Sequence, residues 1–277
     1  MSIVQQTPIG YESTAVANCR LPDGDHCVHQ TKIRREILDR VLARRGRVHW
    51  FDALEAAKTA ALVIDMQDTF CAPGGPAEVP CARAIVERIN TLTTGLRARG
   101  VRVVWVLHAN TQRGSNTNWD TFFNYVVADD VRQRTIESLA PGRQKVWGDL
   151  VTSPHDLTII KNRYSALIAG SSGLERELRR RGIDTLLIAG TKANVCCEAT
   201  ARDAMMLDFK VVMVSDCCAA LSDEEHQGSL ETIIQQFGDV LTAEEVFARL
   251  DGGSRMHMSD QREPADVLAK SVIGDGR

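Results

Sequence analysis

Residues 60–107, AALVIDMQDTFCAPGGPAEVPCARAIVERINTLTTGLRARGVRVVWVL, carry the reading that decides the fold. Ala60 to Ile64 is an unbroken apolar run, too short for a helix and without the alternation of a half-solvated strand, so it reads as a strand buried on both faces. A helix from about Ala82 to Arg99 follows, closed by Gly100, and Val101 to Leu107 is a second buried strand. The order strand, helix, strand then recurs. Leu157 to Ile160 leads through a helix from about Gly173 to Arg181, capped by Ser171 or Ser172 and stopped by Gly182, into Thr185 to Ala189. A helix from Cys196 to Leu207 leads into Lys210 to Val214. A helix from Asp223 to Gln236, opened by the capping box Ser222-Asp223-Glu224-Glu225, precedes a short strand near Val240. Repeated βα cycles with apolar strands predict an α/β fold, a parallel sheet flanked by helices.

Outside this rhythm lie three segments. Residues 1–57 read as a polar arm and a basic helix, Ile33 to Ala43, whose Ile33, Ile37, Leu38, Val41 and Leu42 share one stripe before Gly46. Residues 108–156 are polar but contain Trp119, Phe122, Phe123 and Tyr125, which suits a lid or pocket wall better than disorder. Residues 251–277 read as a tail, leaving 58–250 as the central domain.

The 277 residues have a net charge of -3, with 44% hydrophobic and 25% charged residues, the balance of a globular protein in water. No apolar run reaches the length of a membrane span, and no concentrated basic face points to nucleic acid, so neither partner is expected. The first residues lack an export signal, which predicts a cytoplasmic address and reduced thiols for the eight cysteines. Cys19, His26, Cys27 and His29 offer zinc-ligand types, but in a spacing unlike a finger or ribbon, so they read as incidental residues of the arm. No G-x-G-x-x-G follows a strand, which disfavours a dinucleotide-binding domain.

In parallel α/β sheets ligands bind beyond the carboxyl ends of the strands. Three residues there stand out: Asp65 directly after the first strand, Lys161 directly after Thr158-Ile159-Ile160, and Cys196 at a helix start beyond Gly190. Singly, each has an ordinary reading, as a turn cap, a solvated cation and a small buried residue. Together they offer an acid, a cation and a nucleophile. A thiol at a helix N-terminus beside an ammonium is expected to have a lowered pKa, a carboxylate can carry its proton, and backbone N–H groups at the helix start can hold an oxyanion.

The segments Ala61-Leu-Val-Ile-Asp65-Met-Gln67, Ile160-Lys161-Asn-Arg163-Tyr164-Ser165 and Gly190-Thr-Lys-Ala-Asn194-Val-Cys196-Cys-Glu198-Ala-Thr200-Ala-Arg202-Asp203-Ala204 resemble the isochorismatase-like cysteine hydrolase superfamily, over residues 58 to 250. The resemblance implies a doubly wound parallel sheet and a triad in which Asp65 transfers protons, Lys161 holds and polarises, and Cys196 attacks. It implies a cis peptide at Thr191-Lys192, with the N–H groups of Lys192 and Cys196 as oxyanion hole. It also implies a homodimer or homotetramer that acts on a small amide, ureido or N-carbamoyl compound through a thioester. Lys192 departs from the small residue expected at its position, and Cys197 from valine.

The Asp-x-His metal motif of nicotinamidases has no counterpart, so neither metal nor cofactor is expected. Asn110, Trp119 and Tyr164 are candidates for the pocket. Two other readings stand beside this one: a redox or binding protein using the Cys196-Cys197 pair, and an isochorismatase-type enol ether hydrolase.

Overall fold

The computed structural model describes residues 29–30, 32–114 and 116–252. Among them the elements are α1 (Arg35–Arg45), β1 (Thr59–Ile64), α2 (Asp68–Cys71), α3 (Pro80–Ala84), α4 (Val86–Ala98), β2 (Arg102–His108), a hairpin of β3 (Gln112–Arg113) and β4 (Asn116–Thr117), α5 (Asp120–Tyr125), α6 (Asp129–Ser138), β5 (Leu157–Lys161), α7 (Leu174–Arg180) and β6 (Thr185–Thr191). A π turn (Ala193–Cys197), α8 (Glu198–Met206), β7 (Lys210–Ala219), α9 (Asp223–Thr232), a second π turn (Ile233–Phe237), β8 (Asp239–Leu241) and α10 (Ala243–Gly252) complete the order.

Six strands form one sheet in the order β5-β2-β1-β6-β7-β8, every neighbouring pair parallel. From the central β1 the chain winds outward through β2 to β5, then returns to the other side of β1 as β6 and winds outward again. The direction changes between β1 and β6, and a crevice opens at their carboxyl ends. Because side chains alternate along a strand, β1 feeds two cores. Ala60, Leu62 and Ile64 face Leu174 and Leu178 of α7, Ala201 and Ala204 of α8, and Leu230 of α9. Ala61 and Val63 face Ile89, Leu92 and Leu96 of α4, and Val246 and Leu250 of α10.

Several expected elements differ in extent. The helix expected over 82–99 is split at Ile85, whose ψ of -1° interrupts the ladder. The helix expected to begin at Cys196 opens as a π turn, and regular α-helix starts only at Glu198. Half of the capping box of α9 forms as read, Ser222 Oγ accepting from the Glu225 N–H, while the Glu225 carboxylate accepts from the Leu221 N–H, one residue before the cap. Of the expected tail, Asp251 and Gly252 end α10, with Asp251 accepting two 2.7 Å hydrogen bonds from Arg99, and residues 253–277 lie outside the described residues.

Helix α1 packs on its own chain. Ile37 and Val41 enter the core formed with α9 and its π turn, each burial worth about 1.5–3 kcal/mol. At its start the Arg34 N–H and guanidinium embrace the Glu231 carboxylate at 2.6–3.0 Å, and at its end Arg44 and Arg45 donate to the carbonyls of Gln235 and Ile234. Leu42, on the expected apolar stripe, stays exposed.

Of the four zinc-ligand types in the arm, Cys19, His26 and Cys27 lie outside the described residues. His29 is committed elsewhere, with Nδ1 2.7 Å from Asp223 and Nε2 accepting from the Ala220 N–H at 3.0 Å.

Candidate active site

Asp65, Lys161 and Cys196 converge at the crevice, each delivered by a different strand. Asp65 is the first residue beyond β1 and has φ 56°, a left-handed conformation that costs a non-glycine residue about 1–2 kcal/mol and turns the chain sharply over the sheet edge. Its N–H stays in register, donating to Val106 O at 2.8 Å. Gly190 of β6 lies against this turn: a Cβ there would sit 2.1 Å from the Ile64 carbonyl oxygen, and its φ is 111°. Only glycine lets β6 approach closely enough to bring the π turn to Asp65.

Lys161 ends β5, which is separated from β1 by β2. Its side chain must cross the end of β2, and the long aliphatic stem allows this. At the far side Nζ donates to Asp65 Oδ2 at 2.8 Å, to the Arg163 carbonyl at 3.0 Å, and contacts His108 Nδ1 at 3.1 Å. The Asp65 and Lys161 side chains are both fully buried. An ammonium has three protons and no acceptor, so these groups and the Cys196 thiol, which also interacts with it, share three donors. Asp65 Oδ1, by contrast, is buried without a hydrogen-bond partner.

Burial raises the Asp65 pKa, and Lys161 opposes that rise, as does the neighbouring Cys196 thiol. For Lys161, burial is the largest single effect and lowers the pKa, but the charges of Asp65 and Cys196 and hydrogen bonds to both together outweigh it, and the pKa is raised.

Cys196 lies in the π turn and is 5% exposed. Burial, reinforced by the Asp65 charge, pushes its thiol well above the ordinary range, and Lys161 only partly counters this. The lowered pKa expected from the helix N-terminus is thus reversed. The residue precedes the regular helix, and burial, with the Asp65 carboxylate adding to it, holds the thiol up. The resting group is a thiol whose proton must be removed as it reacts.

Cys197 is fully buried with Sγ 3.9 Å from the Ala189 carbonyl, and Cys218 is a neighbour whose thiol contributes to raising its pKa. The two adjacent thiols therefore differ in their hydrogen-bond partners, although both feel the Asp65 and Lys161 charges. The Thr191-Lys192 peptide is cis, and the Lys192 carbonyl accepts from the N–H groups of Val195 and Cys197. Lys192 is partly exposed.

The three pocket candidates also meet here. Trp119 and Tyr164 pack edge to face at 4.7 Å, and the Arg163 guanidinium lies 5.1 Å over the Trp119 ring. Asn110 is buried and donates through Nδ2 to Asn118 Oδ1 at 2.9 Å and to Asn162 O at 3.3 Å. The insertion carrying these residues has a small core of its own, Phe123, Ile136 and Leu139, with Phe70, Trp119 and Phe122 beside it. Tyr125, read with the aromatic group, is 85% exposed.

Sequence reading missed His108 and Gln67. His108 ends β2, pairs in register with Lys161 and stacks on Trp119 at 5.9 Å. Gln67 ties the β1 and β2 ends together: its Oε1 accepts from the His108 N–H at 2.7 Å, and its Nε2 donates to the His108 carbonyl at 3.1 Å. The rule that picked Asp65 and Lys161, polar residues ending strands, applies equally to His108. Among the described residues no group of three or more His, Cys, Asp or Glu side chains is arranged to hold a metal. Among them, too, no helix is long and apolar enough to cross a membrane.

Residues 59–245 match the model of the isochorismatase domain family, and the chain belongs to that family. It is similar to a cysteine hydrolase from Pseudomonas syringae pv. phaseolicola 1448A, at 31% identity and a TM-score of 0.65, covering 74% of this chain and 97% of the other. It is 31% identical to the uncharacterized isochorismatase family protein YecD of Escherichia coli O157:H7, over 71% of this chain and 98% of that one. A probable inactive nicotinamidase of Arabidopsis thaliana is 30% identical, over 62% of this chain and 86% of its own length. The family is hydrolytic, and the six-stranded parallel sheet is its fold.

Proposed function

We propose that this protein hydrolyses a C–N bond of a small amide, ureido or N-carbamoyl compound, with Cys196 as nucleophile and a thioester as intermediate. Since one relative is named inactive, family membership alone does not carry the activity. The observation that supports it best is the division of labour on the Asp65 carboxylate: Oδ2 is held by Lys161, Oδ1 is buried without a hydrogen-bond partner, and the Cys196 thiol, protonated at rest, neighbours the same carboxylate.

In this reading Oδ1 accepts the Cys196 proton as Sγ bonds to the substrate carbonyl carbon. The carbonyl oxygen becomes an oxyanion, met by the N–H groups of Lys192 and Cys196. As the tetrahedral species collapses, the C–N bond breaks, the Asp65 proton passes to the departing nitrogen and a thioester remains. Water then attacks the thioester carbon, giving a proton to Asp65, and the C–S bond breaks with return of the proton to sulfur. Lys161 moves no proton in this reading. It keeps Asp65 ionised and oriented.

The test is ammonia release from a panel of primary amides and ureido compounds, with Cys196→Ala as control. Turnover that depends on Cys196 and Asp65 is expected. Turnover at the wild-type rate in Cys196→Ala would overturn the reading.

A further inference from the structure

Thr200, on α8 and fully buried, stands four residues beyond the nucleophile. Its hydroxyl oxygen has two partners. It accepts from the Ala166 N–H at 3.1 Å, and because an N–H can only donate, the hydroxyl proton is left for the Cys196 carbonyl, 2.7 Å away. A threonine that donates to the carbonyl four residues back is ordinary in a helix. The other bond is not local, since Ala166 lies 34 residues away in the chain.

Ala166 belongs to the loop that leaves β5 and holds Lys161. The Arg163 carbonyl in that loop accepts from Lys161 Nζ at 3.0 Å. Just beyond, Ser165 Oγ accepts from the N–H groups of Leu167 and Ile168, and the Ser165 carbonyl accepts from Ser171 Oγ at 2.6 Å, so the loop has internal bracing of its own. One hydroxyl thus joins the turn that carries the nucleophile to a braced loop that grips the Lys161 ammonium.

The bond to the Cys196 carbonyl has a mechanical effect. In the π turn the N–H groups of Val195 and Cys197 both donate to the Lys192 carbonyl at 3.1 Å. The peptide between Cys196 and Cys197 is planar, so holding its oxygen at Thr200 and its N–H at Lys192 fixes the whole plane. With that plane held, the Cys196 Cα cannot swing, and the line along which Sγ leaves it is set. The other hydroxyls at this turn act elsewhere. Ser229 Oγ donates to the Ala193 carbonyl at 3.1 Å, which also takes the Glu198 N–H, and Thr191 Oγ1 donates to the Ala219 carbonyl at 3.3 Å.

We propose that Thr200 is a positioning residue for the hydrolysis, clasping the Cys196 carbonyl to the Ala166 N–H so that the thiol is held toward the Asp65 carboxylate that takes its proton. Its effect on turnover rests on the hydrolase reading above; its effect on the thiol does not.

The test compares Thr200→Val, which keeps the branched shape and loses both bonds, with Thr200→Ser, which keeps the hydroxyl. Ser229→Ala is the control, a buried hydroxyl of the same turn with no bond to Cys196. On protein that circular dichroism shows to be folded at the assay temperature, kcat and KM are measured for an amide or ureido compound that the wild type hydrolyses. The rate of Cys196 alkylation by iodoacetamide is measured against pH by mass spectrometry. In Thr200→Val, kcat is expected to fall at least about tenfold with KM within about threefold, the pattern of lost alignment rather than lost binding. Alkylation should move the other way. Burial and the Asp65 charge hold the thiol up, so a thiol free to swing loses part of both, and its labelling midpoint should fall by about one pH unit. Thr200→Ser should restore both readouts. Ser229→Ala should lower the thermal midpoint and leave both readouts unchanged, as loss of a merely structural hydroxyl does.

A wild-type kcat or labelling midpoint in folded Thr200→Val, a serine variant no better than the valine one, or the valine pattern in Ser229→Ala would each overturn the proposal. If Thr200→Val does not fold, Thr200→Ala takes its place; if that also fails while Thr200→Ser folds, the hydroxyl supports the fold as a whole and the proposal falls. If labelling shifts as expected but the wild type hydrolyses no compound of the panel, the clasp on Cys196 stands and the hydrolase reading fails. If hydrolysis survives Thr200→Val undiminished, the hydrolase reading stands and the clasp fails.

Discussion

Lys161 Nζ lies 2.8 Å from Asp65 Oδ2 at the end of a side chain that crosses a whole intervening strand, and neither residue's side chain is exposed to solvent. Removing one partner leaves the other charge buried and alone. Asp65→Asn and Lys161→Met are each expected to lower stability by about 3–5 kcal/mol in urea titrations, and the double variant to recover much of it. In turnover the pair should behave differently. Each single change is expected to cost at least about two to three orders of magnitude in kcat, and the double change little more, because the residues act as one unit. Multiplicative kinetic losses would assign one of them a structural role only.

Iodoacetamide should alkylate Cys196 before Cys197, since Cys196 is 5% exposed and Cys197 is fully buried. The raised Cys196 pKa means that the thiolate fraction is small at neutrality. Labelling followed by mass spectrometry is therefore expected to accelerate as pH rises through the alkaline range. A rate already at its plateau at pH 7 would show a thiolate at rest. Cys197→Ala should keep most of the activity, whereas Cys196→Ser should abolish it.

His226 is 2% exposed, stacks on His29 at 4.4 Å and donates to the Ser215 carbonyl. Burial, with the nearby His29 adding to it, lowers its pKa to about 4. An unfolded histidine titrates near 6.5, so between pH 6.5 and about 4 the unfolded chain binds the extra proton. Stability therefore rises with pH across that window and falls by up to about 3 kcal/mol on acidification through it. His226→Gln should flatten the slope of thermal midpoint against pH there; an unchanged slope would mean that other groups govern acid sensitivity.

Helix α1 closes over the second π turn, and the Glu231 pKa, drawn down to about 2 chiefly by its hydrogen bonds to Arg34, reports the strength of that attachment. Deleting residues 1–46 uncovers the sites of Ile37 and Val41, and is expected to lower the thermal midpoint of the remaining domain. Arg34→Ala should do so to a smaller extent. If light scattering instead shows only a loss of oligomeric mass with an unchanged midpoint, the helix serves an interface between copies.

Much of this site could be read from the chain because it sits where parallel sheets place their ligands. Asp65 and Lys161 each follow an apolar run directly, and Cys196 follows a strand and a glycine. His108 ends its strand just as plainly. Its importance depends on β2 lying between β1 and β5, and strand order comes from packing of the whole sheet. The chemistry of Cys196 was misread for a related reason: a helix start is a local feature, but burial beside Asp65 joins residues 131 positions apart in the chain. Helix α10 was within reach of sequence reading. Thr242 and Glu245 form a capping box, with Thr242 Oγ1 accepting from the Glu245 N–H at 3.2 Å and the Glu245 carboxylate accepting from the Thr242 N–H at 2.8 Å.

The left-handed backbone at Asp65 has a consequence for how such a protein changes over generations. Glycine would adopt φ 56° without strain, and a glycine paired with an apolar residue at 161 would also relieve the centre of a buried ion pair. Folding alone therefore favours discarding the residues on which the proposed catalysis depends. A lineage, or a laboratory selection, screened only for thermal robustness would be drawn toward a sturdier and silent form of the same fold, so the upkeep of Asp65 calls for continuing selection on turnover.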